Sequence, residues 1–513
     1  MRNGEQRAAR GLTGYQFWNV RPLCLAALGF CLGICLCFYV RISAWGWLMA
    51  GCAALFLCML WLLYTGRRGF FVCLVLITAG LGMLRTIPAL RGVPLVWPKE
   101  GKIEGVICDF QQSDGVFTLL LKDVEINGRQ TGECLRVRTK SANMQQARPG
   151  DGFCGTAFSI WMAESKSALD KIQRYANHWD KLAWVGEDVS IIRNDTAWAY
   201  WPARMRMKVA ERIEMLFGRQ ADLVKGMLLG DKTGLSEQTR WEFQQTGISH
   251  ILAVSGLHVG FLAALIIGAL HKSKLKPKTQ AAVLLGVLWS YCALVGFPAS
   301  AVRATVMASV HQMAQAAGRR TDLLESLSIA ALILLIFDPL QILLAGFQLS
   351  FAAVWGIGTI TQALVRRCKK GPSWLINSLS TSLGAQLGIW PVSLQYFQGI
   401  SVISVLANLI VVPLASMITS ASFLALFLSV IWPALAMGFA KMINGIVLLL
   451  TYCTSWMARI PFALCKLPAW PPSAILLFLA SLFCLSPYCL WKAKDRWMVV
   501  IACWAVALGL TLL

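Results

Sequence analysis

Apolar runs of about twenty residues, parted by short basic gaps, fill most of this chain. A helix needs ~20 such residues to cross a bilayer, and in hydrocarbon the backbone must satisfy its own polar groups. Candidate spans lie at 22–39, 45–64 and 70–90. Ten more follow near 248–270, 280–297, 299–317, 323–337, 341–365, 374–397, 401–430, 433–457, 473–491 and 497–513. Composition agrees: 57% of residues are hydrophobic and 14% charged, whereas soluble domains carry ~25% charged residues. The pattern predicts a polytopic α-helical membrane protein with about 13 transmembrane helices.

A net charge of +22 would suit nucleic-acid binding, but its placement gives it a plainer cause. The cations cluster in the gaps: Arg67-Arg68, Lys272 to Lys278, Arg319-Arg320, Arg366 to Lys370 and Lys492 to Arg496, together with the basic leader of residues 1–21. Lys and Arg collect in cytoplasmic loops and fix orientation. The leader is not expected to be a cleaved signal, because the first run lacks a good small-residue cleavage site and a second span follows at once. The N-terminus is therefore expected inside, the region after the third span outside, and the C-terminus outside. Fourteen of the seventeen cysteines lie in or beside apolar runs, where Cys acts as a small hydrophobe. Only Cys108, Cys134 and Cys154 lie in polar sequence, and no Cys/His spacing suits a metal.

Four regions are expected: a three-span membrane region at 1–90, an extracytoplasmic domain at 91–200, an amphipathic helix at 201–229 and a second membrane block at 230–513. The extracytoplasmic domain alternates in short runs at Lys102–Cys108, Val116–Val124, Cys134–Thr139 and Gly152–Phe158, with turn signals at Asp114-Gly115, Asn127-Gly128 and Pro149-Gly150. That reads as a small OB-like β domain. Fourteen Lys/Arg balance fourteen Asp/Glu between Arg91 and Asp195, so it has no basic footprint. Phe110 and Phe117 are weak candidates for base stacking, with core packing the competing role. In 201–229, Met205, Val209, Ile213, Leu216 and Phe217 alternate with arginines at helical spacing. This predicts a helix lying in the membrane interface, or else a surface helix packed on the outer domain.

The polar residues inside the second block are the site candidates, since intramembrane ionisable groups are costly. The stretch Gly247–Gly260, GISHILAVSGLHVG, brings His250, Ser255 and His258 to the start of an apolar helix. Ser255 and His258 are three residues apart and share a face. Arg303 lies in a run of small residues that lets helices approach closely. His311 follows it by two turns. Asp231, Asp338 and Gln348 complete the set, with either Asp a possible partner for Arg303. Gln386, Gln395, Asn408 and Asn444 are expected as interhelical glue. The cationic and imidazole seam is expected to face a water-filled passage rather than to be sealed by its neighbours.

Five strings occur in order: MLLGDKTGL (Met227–Leu235), the Gly247–Gly260 stretch, GFPASAVRATVMA (Gly296–Ala308), DPLQILLAGFQLSFAAV (Asp338–Val354) and NLIVVPL (Asn408–Leu414). In these the chain resembles the ComEC-type competence membrane proteins. The resemblance implies a bacterial inner-membrane channel that carries single-stranded DNA into the cytoplasm during natural transformation. It also implies an extracytoplasmic DNA receptor and a cytoplasmic ATPase as partners, with membrane lipids around the block; homo-oligomerisation is left open. The metallo-β-lactamase-like domain of many members would need an HxHxDH-type motif. The sequence has none, so no nuclease activity, metal or cofactor is expected. Two other readings compete: an intramembrane serine hydrolase using Ser255 with His258 or His311, and a transporter of another substrate.

Overall fold

The computed structural model describes residues 22–39, 67–91, 100–113, 115–131, 134–162, 181–194, 198–319, 322–367, 371–461, 463–467, 470, 472–485, 498, 500 and 502–504. The expected spans at 45–64 and, but for a few positions, 497–513 lie outside the described residues, as do the basic leader and the Lys492–Arg496 loop.

Two helices come first, α1 (Pro22–Tyr39) and α2 (Arg67–Arg91). Their crossing is set by glycine. A Cβ on Gly29 or Gly33 would strike the α2 backbone at Val75 or Ala79, and one on Gly82 would strike Phe30. Gly29 and Gly33 are four apart, the spacing that lets membrane helices touch backbone to backbone. Arg85 of α2 donates to the carbonyls of Ile336 and Phe337, both at 2.7 Å, which ties this pair to the second block.

The chain then builds a barrel from β1 (Gly101–Ser113), β2 (Val116–Ile126), β3 (Arg129–Gln130), β4 (Leu135–Thr139), β5 (Gly152–Met162) and β6 (Lys181–Ile192). The pairing runs β1-β5-β6-β4-β2 and closes through β1–β2, with β3 as an edge on β2. Among the described pairings only β4–β6 is parallel. Asn127 (φ 51°) and Gly128 (φ 76°) make the β2–β3 turn, the paired positive φ values of a tight hairpin. Alternate residues point inward, and Ile103, Ile107, Leu119, Leu121, Val137 and Phe153 fill the barrel. Leu121 pairs with Ile107 on one side and Leu135 on the other. So β2 stands between β1 and β4.

Helix α3 (Trp201–Phe217) leaves the barrel, and α4 (Ala221–Leu229) ends on Gly230 in the left-handed conformation (φ 73°). One side of α3 packs on the second block. Its Ile213 and Phe217 are buried in a core shared with Val411, Ile418, Ile443 and Val447 of the last two long helices. Three arginines on its other faces act as ties. Arg204 donates to the carbonyls of Pro149 (2.8 Å) and Asn194 (2.6 Å). Arg206 lies 3.7 Å from Asp109 of β1 and donates to the Leu229 carbonyl at 3.2 Å. Arg212 donates to the Ser429 carbonyl at 3.0 Å.

The second block continues through α5 (Glu237–Gln245), α6 (Gly256–His271), α7 (Pro277–Leu294), α8 (Ala299–Ala316), α9 (Leu323–Phe337), α10 (Ala345–Gly356), α11 (Gln362–Arg367), α12 (Ser373–Phe397), α13 (Ser404–Ile431), α14 (Pro433–Ala458) and α15 (Pro472–Leu485). A π turn at Ile357–Thr361 joins α10 to α11. The short strands β7 (Gly399–Ser401) and β8 (Leu464–Lys466) pair antiparallel.

Among the described residues, three helices are long and apolar enough to cross a membrane: Ala345–Arg366, Ser404–Ile431 and Pro433–Ala458. They match the runs expected at 341–365, 401–430 and 433–457. The other described runs are also helical, but about 13 crossings are not met by this measure. Helices α6 and α9 have 16 and 15 residues, and at 1.5 Å per residue they are only about 24 and 22 Å long. Helices α7, α8 and α12 are longer but more polar. Large apolar side chains stay exposed along α13 and α14, including Phe427, Val430, Met442, Tyr452 and Trp456, as helices that face lipid require.

Candidate functional site

Three helix beginnings meet where the sequence concentrates its polar residues. Ser255 is the N-cap of α6, and the imidazole of His258 folds back over it. Nδ1 of His258 accepts the Ser255 backbone N–H at 3.2 Å and lies 3.0 Å from Ser255 Oγ. An amide N–H can only donate, so Nδ1 is the bare nitrogen and Nε2 of the neutral ring carries the proton. That Nε2 is buried and has no hydrogen-bond partner among the described residues. Ser300, in the first turn of α8, donates to the Val254 carbonyl at 2.6 Å and clamps α8 to the approach to α6.

Arg303 sits one turn further along α8. A Cβ placed on Gly256 would come within 3.0 Å of Arg303 Nη2 and 3.4 Å of the Ala304 Cβ. Gly256 is therefore the gap that admits the guanidinium. Arg303 Nε donates to Ser350 Oγ of α10 at 2.8 Å, Nη1 lies 3.8 Å from the Met307 sulfur, and the guanidinium carbon is 5.8 Å from the Phe351 ring centre. All these partners are neutral. The positive ends of α6 and α8 are close by, and they favour anions rather than cations.

The expectation that this seam faces a wet passage is corrected. Arg303 is 6% exposed and His258 2%. Neighbouring helices seal both. The two aspartates expected as partners of Arg303 are engaged elsewhere. Asp231 Oδ1 accepts from Thr233 N (3.0 Å) and Thr233 Oγ1 (2.7 Å). Asp338 Oδ1 accepts from Leu340 N at 3.0 Å. Both are turn-forming carboxylates.

Of the remaining candidates His250 stays within electrostatic reach of His258, and the others scatter. His250 is exposed in the short turn Ser249–Leu252. His311 is exposed, with Nε2 3.0 Å from Gln315 Nε2; eight residues along a helix put it about 12 Å from Arg303. Gln348 donates to the Ile342 carbonyl at 2.8 Å and braces the start of α10. In the barrel, Phe117 is 4% exposed and part of the core, which leaves its ring no face for a base. The Phe110 side chain lies outside the described residues. Asn408 bonds Ser382 Oγ at 3.0 Å and Asn444 bonds the Phe217 carbonyl at 3.2 Å, both joining helices as expected. Phe351 is an Arg303 partner that site reasoning passed over, although it stands within three residues of Gln348.

The dyad has limited chemistry. Ser255 Oγ and Nδ1 are within hydrogen-bond reach, as a nucleophile and base must be. Yet Nδ1 also holds the Ser255 amide, a capping role, and no acid orients Nε2 among the described residues. No group of three metal-capable side chains forms among them either.

A family described as "Competence protein" matches residues 227–493, just over half of the chain. The chain is similar to ComE operon protein 3 of Bacillus subtilis, 30% identical over 191 residues, which is 37% of this chain and 24% of that protein. It is similar to Recombination protein 2 of Haemophilus influenzae, 26% identical over 211 residues, covering 38% and 26%. It is also similar to Competence protein ComA of Neisseria gonorrhoeae, 26% identical over 246 residues, covering 45% and 34%. The matched segments thus span about a quarter to a third of these relatives' own lengths. No solved structure matches.

Proposed function

The chain belongs to the competence protein family, and on that premise we propose that it carries single-stranded DNA across a bacterial inner membrane during natural transformation. The block from α6 to α14 is the conduit, and Arg303 is the cation that meets the backbone phosphates at its closed throat. The observation that carries this reading is the Arg303 guanidinium, buried with no carboxylate partner among the described residues. A buried charge with neutral partners costs several kcal/mol. An arriving phosphate supplies the missing countercharge, and α6, α8 and α10 part to admit it. Neutral partners suit transit, because a group that passes ions on must bind weakly enough to release them.

In this reading the chain crosses the membrane many times, with its N-terminus inside and the barrel outside. The β4–β6 parallel pairing within a closed five-strand circuit supports an OB-like barrel. A DNA receptor delivers the strand outside and an ATPase assists inside. The chain needs no enzymatic activity of its own. The hydrolase alternative draws on the 3.0 Å Ser255–His258 contact, but helix capping accounts for it.

The test is complementation in a transformable bacterium whose own family member has been deleted. The wild-type chain is expected to restore uptake of labelled DNA. Arg303→Gln is expected to insert in the membrane equally well and to fail. Uptake by Arg303→Gln at the wild-type rate would end the proposed role of Arg303.

A further inference from the structure

The loop that joins α6 to α7 carries a lysine at every second position: Lys272, Lys274, Lys276 and Lys278. No Asp or Glu occurs between Glu242 and Asp322, so α6, α7 and α8 offer these cations no countercharge. All four lysines are exposed, and none forms an ion pair among the described residues.

Nor do the lysines hold the loop together. The last carbonyls of a helix are often taken by a nearby Lys. Here Ser273 Oγ donates to the Leu270 carbonyl at 2.7 Å, and Gln280 Nε2 donates to the carbonyls of Leu270 (3.3 Å) and Leu275 (3.1 Å). The turn is built from neutral groups. Two of the charges even oppose the helix they begin: Lys276 is the N-cap of α7, and Lys278 follows Pro277 in its first turn. The positive end of a helix favours anions and disfavours cations. An anion seated there is attracted by the lysines and by the helix end together.

Apolar surface reaches the loop from both sides. Ile267 of α6 and Val283 of α7 are exposed, and Leu275, 44% exposed, stands between Lys274 and Lys276. A lysine stem lies along apolar surface while its head stays at the polar boundary. Four ammonium heads at the ends of two apolar helices, with a leucine among them, match a surface where phosphates border acyl chains. A nucleic acid would answer the charges but would leave Leu275 and the helix flanks uncovered.

We propose that the α6–α7 loop is a docking site for anionic phospholipid. Headgroup phosphates lie among the lysines at the N-terminus of α7, and Leu275 enters the acyl boundary. Orientation by loop lysines needs only their number on one side of the membrane; here their arrangement holds one class of lipid. The site rests on the reading of the second block as membrane-embedded, and not on the path of DNA.

The experiment uses the full chain in nanodiscs of equal parts phosphatidylcholine and phosphatidylglycerol, with native mass spectrometry reading the lipids that stay bound. A lysine near an anionic surface contributes about fivefold in affinity, so the wild type is expected to retain phosphatidylglycerol over phosphatidylcholine by about tenfold or more. Changing Lys272, Lys274, Lys276 and Lys278 to Gln is expected to remove most of that preference. Changing the same four to Arg is expected to keep it, which separates charge from folding. If the Gln variant does not enter nanodiscs, Lys276→Gln with Lys278→Gln is read in its place, with a smaller loss expected. Equal retention of the two lipids by the wild type would overturn the proposal, as would a preference unchanged in the Gln variants. Unchanged lipid preference with loss of oligothymidylate binding would overturn it too, and would assign the lysines to nucleic acid. Failure of the wild type to enter nanodiscs would remove the membrane-embedded reading and this site with it. Arg303→Gln is expected to leave the lipid preference unchanged. If Arg303→Gln still transports DNA while the Gln variant loses its lipid preference, the throat reading fails and the lipid site stands.

Discussion

Arg303 Nε donates to Ser350 Oγ at 2.8 Å, and that hydroxyl is the strongest partner the guanidinium has among the described residues. The Met307 sulfur and the Phe351 ring add softer contacts. A cation over an aromatic face gains about 0.5 to 2 kcal/mol, less than the several kcal/mol that burying an ion costs. The residue is therefore held at a loss to stability.

Arg303→Met should consequently stabilise the chain. Replacing a buried ion by an apolar side chain of similar volume gives up to about 1 to 4 kcal/mol. Thermal unfolding in detergent should move upward for this variant while DNA uptake is lost. A lower unfolding temperature would mean that the guanidinium is structural glue.

Ser255→Ala should behave as the loss of a helix cap, costing about 1 kcal/mol and leaving most uptake intact. A fluorophosphonate probe should not label the wild-type chain. Labelling that disappears in Ser255→Ala would revive the hydrolase reading.

Gly388→Leu should prevent assembly of the α10–α12 pair. A Cβ on Gly388 would strike the Ala352 carbonyl, and one on Gly356 would strike that of Gly384, so the backbones are already in contact there. The expected result is loss of folded protein after detergent extraction, seen by size-exclusion chromatography. A normal elution profile would show that the crossing is looser than described.

Burial pushes the Cys108 thiol up to about 11, while a hydrogen bond with Tyr200 opposes the shift. Only the thiolate reacts, so maleimide labelling of Cys108 at pH 7 should be slow and should rise roughly tenfold per pH unit until pH is near 11. Timed alkylation followed by mass spectrometry reads this directly. Labelling at pH 7 as fast as in the denatured chain would contradict it.

Much of this architecture is legible in the residues. The three long spans stand out because apolar runs of that length have no other stable use. The Asn127-Gly128 turn is legible because only such residues accept positive φ at both positions. Strand β6 is harder to see: Lys181 takes an inward position and is 3% exposed, and Glu187-Asp188 interrupt the alternation. Asp231 and Asp338 illustrate a different failure. In the sequence each is a possible partner for Arg303, yet Asp231-Lys-Thr233 and Asp338-Pro339 are turn sequences whose carboxylates accept from the backbone two residues on. The tie from Arg206 to Asp109 and Leu229 is a tertiary event, and no local pattern announces it. The burial of Arg303 was hidden for the same reason: small residues beside it admit neighbours, and only the assembled helices reveal that they close over it.

The central claim is that DNA passes the sealed seam around Arg303. Phe351, whose ring lies 5.8 Å from the Arg303 guanidinium, can be replaced by p-benzoylphenylalanine and irradiated while cells take up radiolabelled DNA. The account predicts a crosslink between the chain and the incoming strand that is absent without added DNA and absent in the Arg303→Gln background. Vigorous uptake with no crosslink at position 351 would place the path of the strand elsewhere and contradict the account.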